Sequence, residues 1–515
     1  MKRWGLALAA VLVLSGLLVW GQPSWTESPG YSVFPEEIPA PVTYRADVHI
    51  EPQKRLVTGT FVARFVPQDS KAYFHLYPNV FRHSDQLRGE NWEEVLGTRR
   101  LPGEIRIRAV KLEGRDVSAA LHGDSGTILE VPIPSIARRK QVETEIEFDL
   151  RVPYNSGRLS YNDNAIWLGN WLPILAVKEQ QGWRLDPYTP MGDPFYSEMA
   201  NYHVRVSLPE GYYLATSGTE SQAVVTQTRP ARQTFYEIDA SNVRDFAMVI
   251  MDDTYRSTQT EVGKSVVRTW WQEGDDPEVV ERLHDVAVQS IRYYGKEFGK
   301  YPYREYDVVK TGGFFGGMEY PSIVFIQGDF FNSRPEIGAA VVAHETAHQW
   351  FYGLVGSDEV REAWVDESLT DYATMAFLQQ YDGRLAQGYI ERRLTAGKAA
   401  KKYAGRGIGA WQPVTKFPDW SSYSDLVYSR GAAMLWQLRE AWGEKRVHQA
   451  LRRYFNENQY GLATGADVVE AFSREAGADA EPYFDYWLRL ELEKEKQASQ
   501  WVEKGKRRIL IIKPK

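Results

Sequence analysis

The sequence predicts a multidomain α+β protein in which an N-terminal antiparallel β domain precedes a mainly helical domain. Three observations carry this. Apolar residues recur at every second position in stretches such as 44–50, 60–66 and 202–208, the period of half-buried strands. From Pro277 onward the apolar period becomes helical. The chain has 515 residues, more than one hydrophobic core usually serves, so two or three domains are expected.

Residues 1–21 read as a signal peptide or membrane anchor. Lys2 and Arg3 precede an apolar run over residues 4–20, a positively charged start and long apolar core of the export kind. No A-x-A cleavage site follows and the run is at the short limit for spanning, so a cleaved signal and a retained anchor both stay open. Either way Lys2 and Arg3 place the rest of the chain outside the cytoplasm, secreted or membrane-anchored.

A Pro-rich spacer at 27–42 leads into the β domain, residues 22–255. Its strands are separated by turns such as Asp124-Ser125-Gly126 and Pro209-Glu210-Gly211, with no helical pattern of useful length between them. The second domain, residues 256–495, opens with a helix over 277–298, with Pro277 in its first turn and Gly299 just beyond its end. Short apolar strands at 306–309 and 323–326 precede helices at about 336–352, 362–380, 431–442, 444–457 and 464–476. In the tail, residues 496–515, the apolar run 509–512 between basic residues predicts one added strand or a disordered end.

Composition narrows the function. A net charge of -7 provides no electrostatic footprint for nucleic acid or anionic lipid, so peptides are the more natural partners. With no cysteine in the chain, disulfides, thiolate catalysis and Cys-ligated zinc are excluded, and any metal must use His, Asp and Glu.

The strongest motif is His344-Glu345-Thr346-Ala347-His348, inside the predicted helix over 336–352. Positions four apart share one helix face, so both imidazoles can reach one ion at about 2.0–2.1 Å. Glu345 projects at a neighbouring angle, suited to take a proton from an activated water. A surface helix with two solvated histidines is the bland alternative, but Ala339, Ala340, Val341, Val342 and Ala343 before the motif and Trp350-Phe351 after it are core-like. A catalytic zinc site needs a third protein ligand and an open fourth position. Glu367, eighteen residues beyond His348 at the start of the next helix, is the candidate; the alternative is a helix-face Glu without special role. Asp371, one turn later, reads either as an acceptor for a ligand His N–H or as a solvated acid.

This constellation resembles the gluzincin pattern of the M1 family of zinc metallopeptidases. Gly316-Gly317-Met318-Glu319-Tyr320 is similar to that family's Gly-x-Met-Glu-Asn exopeptidase motif, and Tyr428-Ser429-Arg430-Gly431-Ala432 to its Tyr-x-Lys-Gly-Ala segment. Residues 298–303, Phe-Gly-Lys-Tyr-Pro-Tyr, match a further landmark. Two positions depart from the pattern: Tyr320 stands where the family has Asn, and Arg430 where it has Lys. The resemblance implies a saddle-like β domain followed by a thermolysin-like catalytic domain holding one Zn2+ on His344, His348 and Glu367. It further implies Glu345 as general base, Tyr428 as oxyanion donor, and Glu319 with Gly316, Gly317 and Met318 as the subsite for a peptide with a free N-terminus. Many members continue into a closing helical domain, whereas this sequence stops soon after the catalytic region, which implies a more open cleft. The expected function is that of a zinc aminopeptidase. A zinc endopeptidase or small-ester hydrolase, and an inactive membrane-tethered binding protein, are the alternatives.

Weaker signals add little. Gly263-Lys264-Ser265 resembles the end of a phosphate loop, but Thr258 stands where its first glycine must be. The seven other histidines show no ligand spacing and are read as structural or solvated. Asp163, Asn164 and Asn170 lie where the family's β domain often contributes cleft residues.

Overall fold

The computed structural model describes residues 40–135, 140–221, 224–226, 232–313 and 315–512. The expected export segment, residues 1–21 with its apolar run 4–20, lies outside the described residues. Among those described, no helix is long and apolar enough to cross a membrane.

The alternating stretches build a nine-stranded sheet. Its centre runs Gln233–Val243, Ala200–Pro209, Val42–Glu51, Leu56–Phe65, Val142–Arg151 and Glu104–Leu112 in order. Val42–Glu51 buries every second residue, as its sequence period requires. The pairing is antiparallel with one correction to expectation: Val42–Glu51 lies parallel to Ala200–Pro209, Val42 opposite Ala200 and Val48 opposite Val206. The two strands are far apart in sequence, so no hairpin signal could report their direction. A second correction is the short helix Glu90–Leu96, which interrupts the β region and places Glu94 and Val95 at the cleft described below.

From Tyr255 onward a five-stranded sheet carries the helices. Its order is Tyr255–Val262, Ser265–Gln272, Glu305–Thr311, Ile323–Gln327 and, at the edge, the two-residue strand Gly317–Met318. Gly263-Lys264-Ser265 is the tight turn of its first hairpin, with Gly263 at φ +65°. The helix Pro277–Glu297 begins at Asp276, whose carboxylate accepts the N–H groups of Glu278 and Val279, satisfying donors that a helix start leaves free.

The predicted helices appear as Pro335–His348, Glu359–Tyr381, Gly431–Trp442, Glu444–Asn458 and Gly465–Ala476, joined by an additional helix, Gly383–Ala399. Pro335–His348 is enclosed by core on most sides: Ala339, Ala343 and Ala347 are fully buried and the Tyr294 hydroxyl donates to the Ala343 carbonyl. Three helical stretches widen into π turns, at Gln349–Leu354, Ser424–Arg430 and Asp485–Arg489.

The described part of the tail, through residue 512, is neither strand nor disordered. Residues Glu495–Ile512 form a helix, docked by Trp501 against Trp442 at a ring separation of 4.8 Å, with the Trp442 indole N–H donating to the Val502 carbonyl. Gly505 lets the helix approach: a Cβ there would stand 2.5 Å from the Trp442 ring. A short apolar run is compatible with either period, and here the two tryptophans decide for the helix.

Candidate active site

His344 and His348, one turn apart on Pro335–His348, point at Glu367 on the neighbouring helix Glu359–Tyr381. His348 Nε2 lies 3.0 Å from His344 Nε2 and 3.4 Å from Glu367 Oε2, and His344 Nε2 lies 3.2 Å from Glu367 Oε2. Ligands held at about 2.0–2.1 Å in tetrahedral directions stand about 3.3–3.4 Å apart, so the three donor atoms have the spacing of a tetrahedral metal set. Two imidazoles and a carboxylate are also a zinc donor set of the catalytic kind, leaving a fourth direction for water or substrate. The residues fit a zinc ion.

Their outer atoms are held. His348 Nδ1 donates to Asp366 Oδ1 at 2.6 Å, with the Thr370 hydroxyl 3.1 Å away. His344 Nδ1 stands 3.4 Å from Asp371 Oδ1. Asp371 is therefore no solvated acid: it is fully buried, its Oδ2 is 2.7 Å from Arg393 Nε, and it accepts from the Tyr389 hydroxyl. These contacts fix which nitrogen of each ring faces inward.

The charges favour a cation. Burial works against a charged His344, but Asp371 and Glu367 outweigh it and lift its pKa to about 9. Burial raises Glu367, yet hydrogen bonds from both imidazoles hold it well below the usual carboxylate range. Glu345, opposite in behaviour, is lifted by burial to about 7 against the pull of His344 and His348.

Glu345 packs directly on the edge strand. A Cβ at Gly317 would stand 2.2 Å from Glu345 Oε1, so a residue without a side chain is required where this strand passes. Gly316 has φ +81°, open to glycine at little cost. Glu319 follows the strand, 3% exposed. The Gln349 amide, next to His348, donates to the Tyr320 carbonyl at 3.1 Å while its oxygen accepts the Ser322 N–H at 2.8 Å, tying the Glu319 turn to the metal helix.

Tyr428 sits in the π turn Ser424–Arg430, its hydroxyl donating to Glu367 Oε1 at 2.5 Å and its ring stacked 5.9 Å from His344. The turn is pressed onto the Glu367 helix: the Ser368 hydroxyl donates to the Val427 carbonyl, and a Cβ at Gly431 would stand 1.8 Å from Ser368 Oγ. Arg430 anchors it from behind, fully buried and donating to the carbonyls of Trp487, Gly397 and Tyr486. An Arg here spreads its fork over three backbone oxygens, which a Lys would reach differently.

His344, Glu345, His348, Glu367, Tyr428, Glu319, Gly316 and Gly317 all line one cleft of about 470 Å³. Met318 does not line it. It is 1% exposed and packs in an apolar cluster with Tyr320 and Phe325, because alternate residues of a strand face opposite sides. Tyr320 also turns away: its hydroxyl donates to Asn170 Oδ1 at 2.6 Å, and Asn170 donates to Asp245 at 2.5 Å. It passes over Gly169, where a Cβ would meet its hydroxyl at 2.1 Å. Asn170 is thus engaged behind the cleft wall. Asp163 and Asn164 are likewise not among the lining residues.

Sequence reasoning missed the acids and bases on the cleft's β side and behind the two histidines. Asp366 was legible only as the residue before Glu367. Arg158 and Asp193 line the cleft as a buried ion pair, and Glu359 lies at the start of the Glu367 helix, 2% exposed. Burial drives the carboxyls of Asp193, Glu319 and Glu359 upward from their ordinary values. Of the histidines without ligand spacing, His284 is held between Thr260 and Thr269 and His448 against Glu297, while His83, His122 and His203 are exposed.

Comparison with known proteins places residues 283–487 in the profile described as "Peptidase family M1 domain". Aminopeptidase N of Lactococcus lactis subsp. lactis is 28% identical over 220 residues, 40% of this chain and 26% of the relative. Aminopeptidase N of Streptomyces lividans is 26% identical over 223 residues, 40% of this chain and 25% of the relative. Tricorn protease-interacting factor F2 of Thermoplasma acidophilum is 24% identical over 220 residues, 40% of this chain and 28% of the relative. The match therefore spans about a quarter of the length of these relatives.

Proposed function

We propose that this chain, whose residues 283–487 match the Peptidase family M1 domain, is a zinc-dependent aminopeptidase that removes N-terminal residues from peptides. The observation that carries the reading is the meeting, in one cleft, of a tetrahedrally spaced His344–His348–Glu367 set with the carboxylates of Glu345 and Glu319. The aminopeptidases among the relatives support the substrate class.

Zinc held by His344, His348 and Glu367 would supply Lewis acidity toward water and the scissile carbonyl. Glu345 takes the proton of the attacking water and later hands it to the leaving amine, so the residue ends as it began. Its upward shift toward neutrality suits both halves of that task. The Tyr428 hydroxyl, which lines the cleft and donates to Glu367, would turn from that carboxylate to donate to the developing oxyanion. Glu319 accepts charge-assisted hydrogen bonds from the substrate's α-ammonium, which fixes where along the peptide cleavage falls. The free edge of Gly317–Met318 offers backbone groups to an extended peptide. Export is part of the proposal, supported by the apolar run 4–20 behind Lys2 and Arg3, with retention as an anchor or secretion as its two outcomes.

The test is hydrolysis of aminoacyl-arylamides against their N-acetylated counterparts by the full chain, with and without added zinc, and with Glu345→Gln as the blank. Zinc-dependent cleavage of free amino termini alone is the expected result. Equal cleavage of blocked substrates would move the function to endopeptidase and remove the role given to Glu319.

A further inference from the structure

Beside the metal ligands lies a second group of donors. Asp193, Glu319 and Glu359 come from three separate parts of the chain, are all buried, and each offers an oxygen within 4.8 Å of the other two. Glu319 Oε1 and Glu359 Oε2 have no hydrogen-bond partner although both residues are at least 97% shielded from solvent. Asp193 and Glu319 line the cleft, so the group is reachable from it, and Glu359 is not among the lining residues. A buried carboxylate without a partner costs several kcal/mol, so oxygen atoms arranged this way call for positive charge.

The charges can be counted. Arg158 answers Asp193, to which its guanidinium is hydrogen-bonded. Among the described residues no Lys, Arg or His nitrogen lies within 4.0 Å of a Glu319 or Glu359 carboxylate oxygen. Burial raises both carboxyls, so a divalent ion would bind in exchange for the protons they hold rather than onto two standing charges. All donors are carboxylate oxygens, the ligand type of hard cations such as Ca2+, whereas the neighbouring set with two imidazoles suits zinc.

We infer that Asp193, Glu319 and Glu359 form a second cation site in the cleft, selective for a hard divalent ion of the Ca2+ kind. Where the cleft works as proposed above, the site overlaps the position of the substrate's α-ammonium at Glu319, so cation and peptide N-terminus exclude each other. The competition rests on the aminopeptidase reading; the cation site itself does not.

The test uses the zinc-loaded full chain. Calorimetric titration with Ca2+, and luminescence of Tb3+ as a Ca2+ probe, should show one site per chain beyond the zinc. Glu359→Gln should weaken both ions at least tenfold while zinc content stays at one per chain; if that variant does not fold, Asp193→Asn provides the same reading. An aminoacyl amide should displace Tb3+ and its N-acetyl counterpart should not. No binding, or binding unchanged in the variant, overturns the site even if the enzyme is active. Binding intact in a protein that cleaves no peptide overturns the aminopeptidase reading alone, and Tb3+ undisturbed by the amide removes the overlap.

Discussion

Two groups of three donors share one cleft and differ in how their far sides are treated. In His344–His348–Glu367 each ligand is backed: Asp366 and Thr370 behind His348, Asp371 beside His344, Tyr428 on Glu367. In Asp193–Glu319–Glu359, Asp193 is backed by Arg158, and an oxygen of each glutamate has no partner. The first arrangement specifies ring orientation and geometry before anything binds. The second specifies charge and burial and leaves geometry to the ligand. A site that must hold a catalytic ion through every turnover benefits from the first; a site that must release what it binds is served by the second.

Four changes break or sharpen this contrast, the largest effect first. Glu345→Gln keeps the metal donors and removes the base, so kcat should fall by about 10²–10⁴ with zinc stoichiometry unchanged, read by steady-state kinetics beside metal analysis. Tyr428→Phe should lower kcat by about 10²–10³, again without loss of zinc. Asp366→Asn should weaken zinc by about 10–100-fold in competition with a chelator, because the His348 ring loses its charged acceptor. Equal zinc affinity in Asp366→Asn and wild type would erase the distinction between backed and unbacked donors.

The smallest effect concerns stability. Burial raises the carboxyl of Asp245 to about 7, against the Phe246 N–H and the Asn170 amide. The folded chain thus keeps this proton over a range where the unfolded chain, near 3.9, has lost it. This group makes stability decline as pH rises from about 4 to about 7, by on the order of 1–4 kcal/mol, and leaves it level above. Asp245→Asn should remove that component, so denaturant midpoints of variant and wild type plotted against pH should diverge in slope below pH 7 and run parallel above it.

The proposed metal ligands were legible because helix geometry translates spacing into direction: His344 and His348 at four residues, then Glu367 after a connection of fitting length. The strands were legible from their period, as Val42–Glu51 shows. What escaped was set by tertiary contact. The parallel pairing of Val42–Glu51 with Ala200–Pro209 joins strands with no local link. Met318 reads as a motif residue yet faces the core, because a two-residue strand sends its neighbours to opposite sides. Asp193 and Glu359 carry no spacing signal with Glu319, since three separate segments bring them together. Tyr320 departs from the motif, and its reason is a hydroxyl reaching Asn170, 150 residues away in the chain.

The π turn Ser424–Arg430 makes chain length itself a component of the site. An α-helix advances by about 100° per residue, and a π turn absorbs one residue more than the α-helical path needs. Removing a single residue between Ser424 and Val427 would let the segment tighten to a regular helix, and the Tyr428 side chain, inside that segment, would lose the direction toward Glu367 that the wide turn gives it. The hydroxyl would then be as remote from the cleft as if it had been deleted, with every residue named in the site still in place.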